Sequence, residues 1–195
     1  MEVTIIKYNA GNVQSVMYAL DRIGISYVLS DNFEVIKSAE RIIFPGVGEA
    51  STAMKSLINN GLDKLIPTLK QPFLGTCVGM QLLCRHSEEN NTDCLGVFEI
   101  DVKKFPKTDG FKIPQTGWND IYDLQSPLLK GVAENSYVYY NHGYYAPLSE
   151  NTIGKTNYIL EYSAVLQKNN FFACQFHSEI SGDIGQKIFE NFMNI

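Results

Sequence analysis

Pro72-Phe-Leu-Gly-Thr-Cys-Val-Gly-Met-Gln81 runs from an apolar segment through Gly75-x-Cys77-x-Gly79 into the helix-like Met80-Gln-Leu-Leu83. Strand, sharp turn and helix in that order form a nucleophile-elbow pattern with cysteine at its apex. The glycines admit a tight backbone, so the central side chain stands above a sheet at a helix N-terminus. There the helix dipole and nearby cations favour the thiolate, the nucleophilic form of cysteine. The same letters also fit an ordinary strand-to-helix turn around a packed thiol, because cysteine is among the most buried residue types. Chemistry therefore needs partners elsewhere in the chain.

Outward from this corner, strand and helix patterns alternate through the first half. Val3 to Tyr8, Ser26 to Leu29, Arg41 to Phe44 and Phe73 to Gly75 read as strands. Val13 to Ile23 carries apolar residues at helical spacing and stops at Gly24, and Ser51 reads as the cap of a helix through Ile58, before Gly61. Such alternation implies a mostly parallel sheet with helices on both faces. From Leu95 to Phe172 the chain is richer in short strands and turns, which adds antiparallel strands to the expected α/β fold. Gly96 to Phe105, Tyr137 to Tyr145, Ala164 to Lys168 and Phe171 to Phe176 are the candidates there, and a helix from about Asp183 to Met193 closes the chain. Ligands in open α/β sheets bind beyond the carboxyl ends of strands, where Gly46, Cys77 and His177 fall.

A base for the thiol is expected at the end of Phe171-Phe-Ala-Cys-Gln-Phe176, which runs into His177-Ser-Glu179. Residues two apart on an extended segment point the same way, so His177 and Glu179 face one cleft, the carboxylate orienting the imidazole. The chain has two other histidines, His86 and His142. His86 follows the elbow helix, where the dipole favours a histidine without any catalytic role. His142 sits in the aromatic run Tyr137-Val-Tyr-Tyr-Asn-His-Gly-Tyr-Tyr145, whose tyrosines alternate poorly and read as covered on both faces. An oxyanion formed at Cys77 needs donors. The N–H of Val78 is one by the geometry of an elbow, and Pro45-Gly-Val-Gly48 offers a second through its flexible backbone.

With 195 residues and 45% hydrophobic content, the chain can bury one sizeable core, and residues 1–195 read as a single domain. A net charge of -5 and the absence of any basic run argue against a nucleic-acid partner. Cys77, Cys84, Cys94 and Cys174 lack metal-ligand or disulfide spacing, so no metal is expected and a reducing cytoplasm suits them. Cys84 reads as a core residue on the elbow helix, and Cys174 as one of a buried strand. Met1-Glu-Val-Thr-Ile-Ile-Lys7 is a short strand rather than a targeting signal, and no apolar span approaches membrane length. Trp118, the single tryptophan, is expected in a Gly-Trp-Asn turn, as a binding-surface ring or a cap on the core.

Pro45-Gly-Val-Gly48, the cysteine elbow, Pro114-Gln-Thr-Gly-Trp-Asn119 and Gln175-Phe-His-Ser-Glu179 stand in the order found in the class I glutamine amidotransferases, which the chain resembles over practically its whole length. Within that class it looks most like the glutaminase subunits of imidazole glycerol phosphate synthases, with Ile5-Ile-Lys-Tyr-Asn-Ala-Gly-Asn12 as a further match. The resemblance implies the flavodoxin-like amidotransferase fold and a Cys77-His177-Glu179 triad. That triad would hydrolyse glutamine to glutamate and pass ammonia to a cyclase (β/α)8-barrel subunit in a heterodimer, without a cofactor. It further implies oxyanion donors at Val47 and Val78, and glutamine contacts at Gly48, Gln81, His142 and Gly143. Asn12, Trp118, Asn119, Tyr139 and Ile180 would meet the partner. Family glutaminases are typically weak alone, because the donor near Val47 is turned inward only when the partner binds.

Departures stand beside these matches, among them Tyr139-Tyr-Asn-His-Gly-Tyr144 where the family commonly has Tyr-Phe-Val-His-Ser-Tyr. The family usually reads His-Pro-Glu-Lys where this chain has His177-Ser-Glu-Ile180, and Pro-His-Met-Gly-Trp-Asn where it has Pro114-Gln-Thr-Gly-Trp-Asn119. The lysine bridges to the synthase subunit in the family, and Ile180 cannot. A kept triad beside an altered partner face also fits a paralogous glutaminase that feeds another acceptor, such as a surface sugar. A stand-alone cysteine hydrolase would share the elbow, but Gln81 and the Trp118 segment favour the amidotransferase. A non-catalytic interaction protein would not need Cys77, His177 and Glu179 together.

Overall fold

A computed structural model describes residues 2–8 and 12–195. Asn9, Ala10 and Gly11 of the amino-terminal motif lie outside the described residues. The first half contains β1 (Glu2–Ile6), α1 (Val13–Arg22), β2 (Ser26–Ser30), α2 (Phe33–Ser38), β3 (Ile42–Phe44), α3 (Ala50–Asn59), α4 (Leu62–Leu65), β4 (Phe73–Thr76) and α5 (Val78–Leu83). There follow β5 (Cys84–Ser87), β6 (Thr92–Asp93), β7 (Phe98–Lys104), β8 (Gln115–Ile121) and β9 (Ser136–His142). Then come β10 (Tyr144–Tyr145), β11 (Thr152–Tyr158), β12 (Leu160–Lys168), β13 (Phe171–Cys174) and α6 (Gly182–Met193).

The principal sheet has the order β11-β12-β13-β4-β3-β1-β2. Every pair from β13 across to β2 is parallel, and β12 and β11 continue the other edge antiparallel. Ile42, Ile43, Phe44, Phe73 and Leu74 are fully buried, as consecutive residues of strands covered on both faces must be. Alternate side chains feed two cores. Ile42, Phe44 and Phe73 pack in one core with Met54 and Leu57 of α3, whereas Ile43 and Leu74 share the other with Leu20 of α1 and Phe189 and Phe192 of α6. This is the expected α/β architecture, mostly parallel with helices on both faces.

Local expectations fail where a distant group supplies the missing contact. Helix α3 begins at Ala50 rather than at a Ser51 cap, and the free Ala50 N–H donates to the Glu89 carboxylate at 2.7 Å. The elbow helix stops at Leu83 because Cys84 to Ser87 pair with β7 as a strand. Cys84 is buried there, but on β5 and not on the helix, and His86 lies on the same strand with Nδ1 3.0 Å from Asp93 Oδ1. The aromatic run from Tyr137 to Tyr145 is divided at Gly143. Strand β9 pairs with β8, and β10 pairs with β7. Contrary to the sequence reading, β9 alternates cleanly, with Val138, Tyr140 and His142 buried and Tyr137 and Asn141 exposed. Trp118 belongs to strand β8, opposite Tyr139, and not to a turn. Among the described residues no helix is long and apolar enough to cross a membrane.

Candidate active site

Cys77 follows the carboxyl end of β4 with φ +52° and ψ -113°, a backbone that a residue with a Cβ adopts only when its surroundings force it. Interlocked glycines provide that force. A Cβ on Gly79 would collide with the Phe44 carbonyl oxygen, and one on Gly46 would collide with the Gly79 nitrogen. At Gly75 a Cβ would stand 3.0 Å from the Gly79 carbonyl oxygen. The start of α5 is thus wedged against β3 and β4. The Cys77 N–H donates to the Cys174 carbonyl at 2.8 Å, which ties the apex to β13 as well.

His177 follows β13 and is clamped from two sides. Its N–H donates to the Tyr139 carbonyl at 2.9 Å. The Ser181 hydroxyl donates to the His177 carbonyl at 2.6 Å and accepts the Tyr139 N–H at 2.9 Å. Glu179 does not reach the ring along an extended segment, as the sequence suggested. A 3-10 turn over Ser178–Ile180 folds it back instead, with Oε1 2.7 Å from His177 Nδ1. The Arg22 guanidinium holds this turn by donating to the Glu179 carbonyl at 3.2 Å. Because Nδ1 is occupied by the carboxylate, Nε2 is the nitrogen left to serve Cys77, whose Sγ lies 3.9 Å from the Asn141 carbonyl oxygen. Burial lowers the pKa of His177, but the neighbouring Cys77 and the Glu179 carboxylate outweigh it and hold the ring up at about 10, in favour of the imidazolium.

A cleft of about 500 Å³ opens over Cys77 and His177. Val47, Gly48, Val78, Gln81, His142 and Gly143 line it, as do Asn12, Tyr139 and Ile180 from the expected partner face. Glu179 lies beneath the imidazole, 4% exposed. Trp118 and Asn119 stand outside the cleft lining. The Trp118 ring is 55% exposed and meets Tyr139 edge-on at 5.9 Å, while the Asn119 amide donates to Thr156 Oγ1 at 3.1 Å and to the Asn157 carbonyl at 2.9 Å.

The Val78 N–H does not point into open space. It donates to the Gly46 carbonyl at 3.3 Å, so that carbonyl occupies a donor an oxyanion would need. The loop is anchored by a buried bond at one end and exposed at the other. Tyr8 donates its hydroxyl proton to the Pro45 carbonyl at 2.6 Å, whereas Gly48, at φ +91°, has no atom within contact of an added Cβ.

One lining residue escaped the sequence reading. Glu89 is a partly buried carboxylate in the cleft wall, and burial raises its pKa although the Ala50 N–H opposes the shift. No local motif marks it, since it enters from a turn between two short strands and its bond partner is 39 residues away.

The sequence matches the family model described as "Glutamine amidotransferase class-I" over residues 4–195. It is 52% identical over 196 residues to "Imidazole glycerol phosphate synthase subunit HisH" of Bacteroides fragilis (strain YCH46), with 100% of each chain covered. It is 48% identical to the protein of the same name from Bacteroides thetaiotaomicron, again over 100% of each chain. A solved structure described as "Crystal structure of glutamine amidotransferase" superposes with a TM-score of 0.74 at 18% identity, covering 98% of this chain and 97% of that one; it bears on the fold alone.

Proposed function

The chain belongs to the class I glutamine amidotransferase family, and on that premise we propose that it is the glutaminase subunit of an imidazole glycerol phosphate synthase, feeding ammonia to a (β/α)8-barrel cyclase in histidine biosynthesis. The observation that carries the reading is the buried His177–Glu179 pair close to Cys77, at the carboxyl ends of the neighbouring strands β13 and β4, within a chain that matches such subunits over its full length.

In this reading Cys77 Sγ attacks the side-chain carboxamide carbon of glutamine, and the carbonyl oxygen takes up the negative charge. His177 Nε2–H protonates the departing nitrogen, so ammonia leaves and a thioester remains. His177, now neutral, removes a proton from water, which attacks the thioester and releases glutamate and the thiolate. Glu179 keeps Nδ1–H oriented through both halves. The carboxylate of Glu89 in the cleft wall suits the α-ammonium of the substrate.

The oxyanion step asks for a change in the loop after β3. Rotating the Gly46–Val47 peptide would withdraw the Gly46 carbonyl from the Val78 N–H and turn the Val47 N–H inward in one movement, delivering both donors together. Partner binding is the event proposed to favour the turned state, because the cleft rim at Asn12, Tyr139 and Ile180 is continuous with the exposed Trp118.

A second reading has one observation of its own. Ile180, 43% exposed at the rim, stands where the family usually carries a bridging lysine, as a paralog serving another acceptor would allow. Full-length likeness to proteins named for imidazole glycerol phosphate synthase favours the first.

Affinity labelling tests the site. A chloroketone analogue of glutamine is expected to alkylate Cys77 in the presence of the partner, with glutamine protecting and Cys77→Ala abolishing the adduct in peptide mass spectra. An unlabelled Cys77 under those conditions contradicts the reading.

A further inference from the structure

We propose that Gln115 is a positioning residue for glutamine hydrolysis: its amide N–H donates to the Tyr162 hydroxyl and so, through His142, fixes the Tyr144 carbonyl and the Gly143 wall of the cleft. The inference deepens the glutaminase reading and rests on it.

Proton counting in a buried chain leads there. Gln115, His142 and Tyr162 are 3%, 6% and 0% exposed, so water does not supply missing partners freely. The Tyr144 carbonyl can only accept, and His142 Nδ1 lies 2.7 Å from it, so Nδ1 carries a hydrogen. Burial pushes the His142 pKa down to about 4, which leaves the ring neutral and Nε2 a bare acceptor. The Tyr162 hydroxyl is 3.1 Å from that nitrogen and owns one proton, which Nε2 takes.

Gln115 Oε1 is placed 2.7 Å from the same hydroxyl oxygen, as an acceptor. With its Oε1 turned to Tyr162, two acceptors claim one proton and the buried Gln115 Nε2 has no partner at all. The two ends of an amide have the same shape, and presenting Nε2 instead removes the conflict. The unpartnered atom is then a carbonyl oxygen, which buried structure tolerates more often than an orphaned N–H. Donors run one way, from Gln115 to Tyr162 to His142 to Tyr144.

The end of this chain is the part of the site that matters. The Tyr144 carbonyl also accepts from Gln81 Nε2 at 2.9 Å, and Gln81 lines the cleft together with His142, Gly143 and Tyr144. Gln115 and His142 are directly opposed in the β8–β9 ladder, so backbone register already brings their side chains to one face. Loss of the Gln115 donor frees the His142 ring to change tautomer and releases the Tyr144 carbonyl from one of its two donors.

Imidazole ¹⁵N spectra and glutamine kinetics on the same samples, with the synthase partner present, test this. In the wild-type protein His142 is expected as the Nδ1–H tautomer near neutral pH. Gln115→Glu, which replaces the donor by an acceptor, is expected to mix or reverse that tautomer and to raise KM for glutamine about tenfold with kcat within about threefold. Gln115→His, which can offer a ring N–H to Tyr162, is expected to keep both. An Nε2–H tautomer in the wild-type protein overturns the proposal without reference to any variant. So does a Gln115→Glu protein with lowered Tm but unchanged tautomer and KM, the signature of packing alone. If the wild-type complex releases no glutamate, the glutaminase reading fails while the tautomer result stands, so the two failures are distinguishable.

Discussion

Replacing Glu179 by Gln keeps the side chain's shape and removes the charge from its 2.7 Å bond to His177 Nδ1. A hydrogen bond to a charged group contributes about 1.5–3 kcal/mol. Both side chains here are almost out of water, 8% and 3% exposed, which places the loss near the upper end. About 3 kcal/mol less stabilisation of the imidazolium corresponds to roughly a hundredfold in rate. The amide adds a second fault, because its NH2 group can donate to Nδ1 and leave the proton on Nε2, where a base toward Cys77 is needed. Together they set the expected fall in kcat at about 10³- to 10⁴-fold, read as glutamate release by the partner complex. Stability moves with the same bond. A folded pKa raised from 6.5 to about 10 stabilises the fold fully below 6.5 and loses that contribution as pH rises toward 10. Wild-type Tm should therefore decline across that window, and the Glu179→Gln protein, with one of the raising groups removed, should decline less. A kcat within about threefold of wild type, or identical Tm slopes, refutes the reasoning.

Gly79→Ala drives a Cβ into the Phe44 carbonyl, and because backbone cannot yield as a side chain does, the cost is set at about 2–3 kcal/mol. For a chain of this size calorimetry should then show Tm lower by about 4–12 °C, and an unchanged Tm would exclude the wedge described for the elbow. Tyr8→Phe leaves the Pro45 carbonyl without its 2.6 Å donor, for a loss of about 1–2 kcal/mol in chemical unfolding and a lower partner-stimulated kcat at similar KM. Equal stability and kcat would remove Tyr8 from the loop's anchor. Trp118→Ala removes a 55% exposed ring from the proposed partner face, so titration against the barrel subunit should show binding weaker by about tenfold or more with Tm unchanged. Undiminished affinity would move the interface elsewhere.

The chain announces its sheet and its candidate triad wherever the signal is local. Buried parallel strands read as uninterrupted apolar runs, so Ile42 to Phe44 and Phe73-Leu74 were visible, and a turn crowded by glycines betrays Cys77. What stayed hidden depends on contacts across long stretches of chain. The cap on α3 comes from Glu89, the division of the aromatic run at Gly143 comes from two different neighbouring strands, and the early end of α5 comes from pairing with β7. The pairing of His177 with Glu179 was anticipated for the wrong reason, since a 3-10 turn and not strand alternation joins them. Nor could spacing reveal that the Val78 N–H is engaged by Gly46, because that bond depends on the conformation of a loop distant in sequence.

Glutamate release from glutamine by this chain mixed with a cyclase-type barrel subunit, with and without the nucleotide substrate of histidine biosynthesis, tests the assignment most directly. The chain alone should be slow, because the Gly46 carbonyl holds the Val78 donor. Partner and nucleotide together should raise the rate by about a hundredfold or more, the worth of one oxyanion donor, and Cys77→Ala should abolish it. A rate indifferent to the nucleotide, or one that survives Cys77→Ala, contradicts the account.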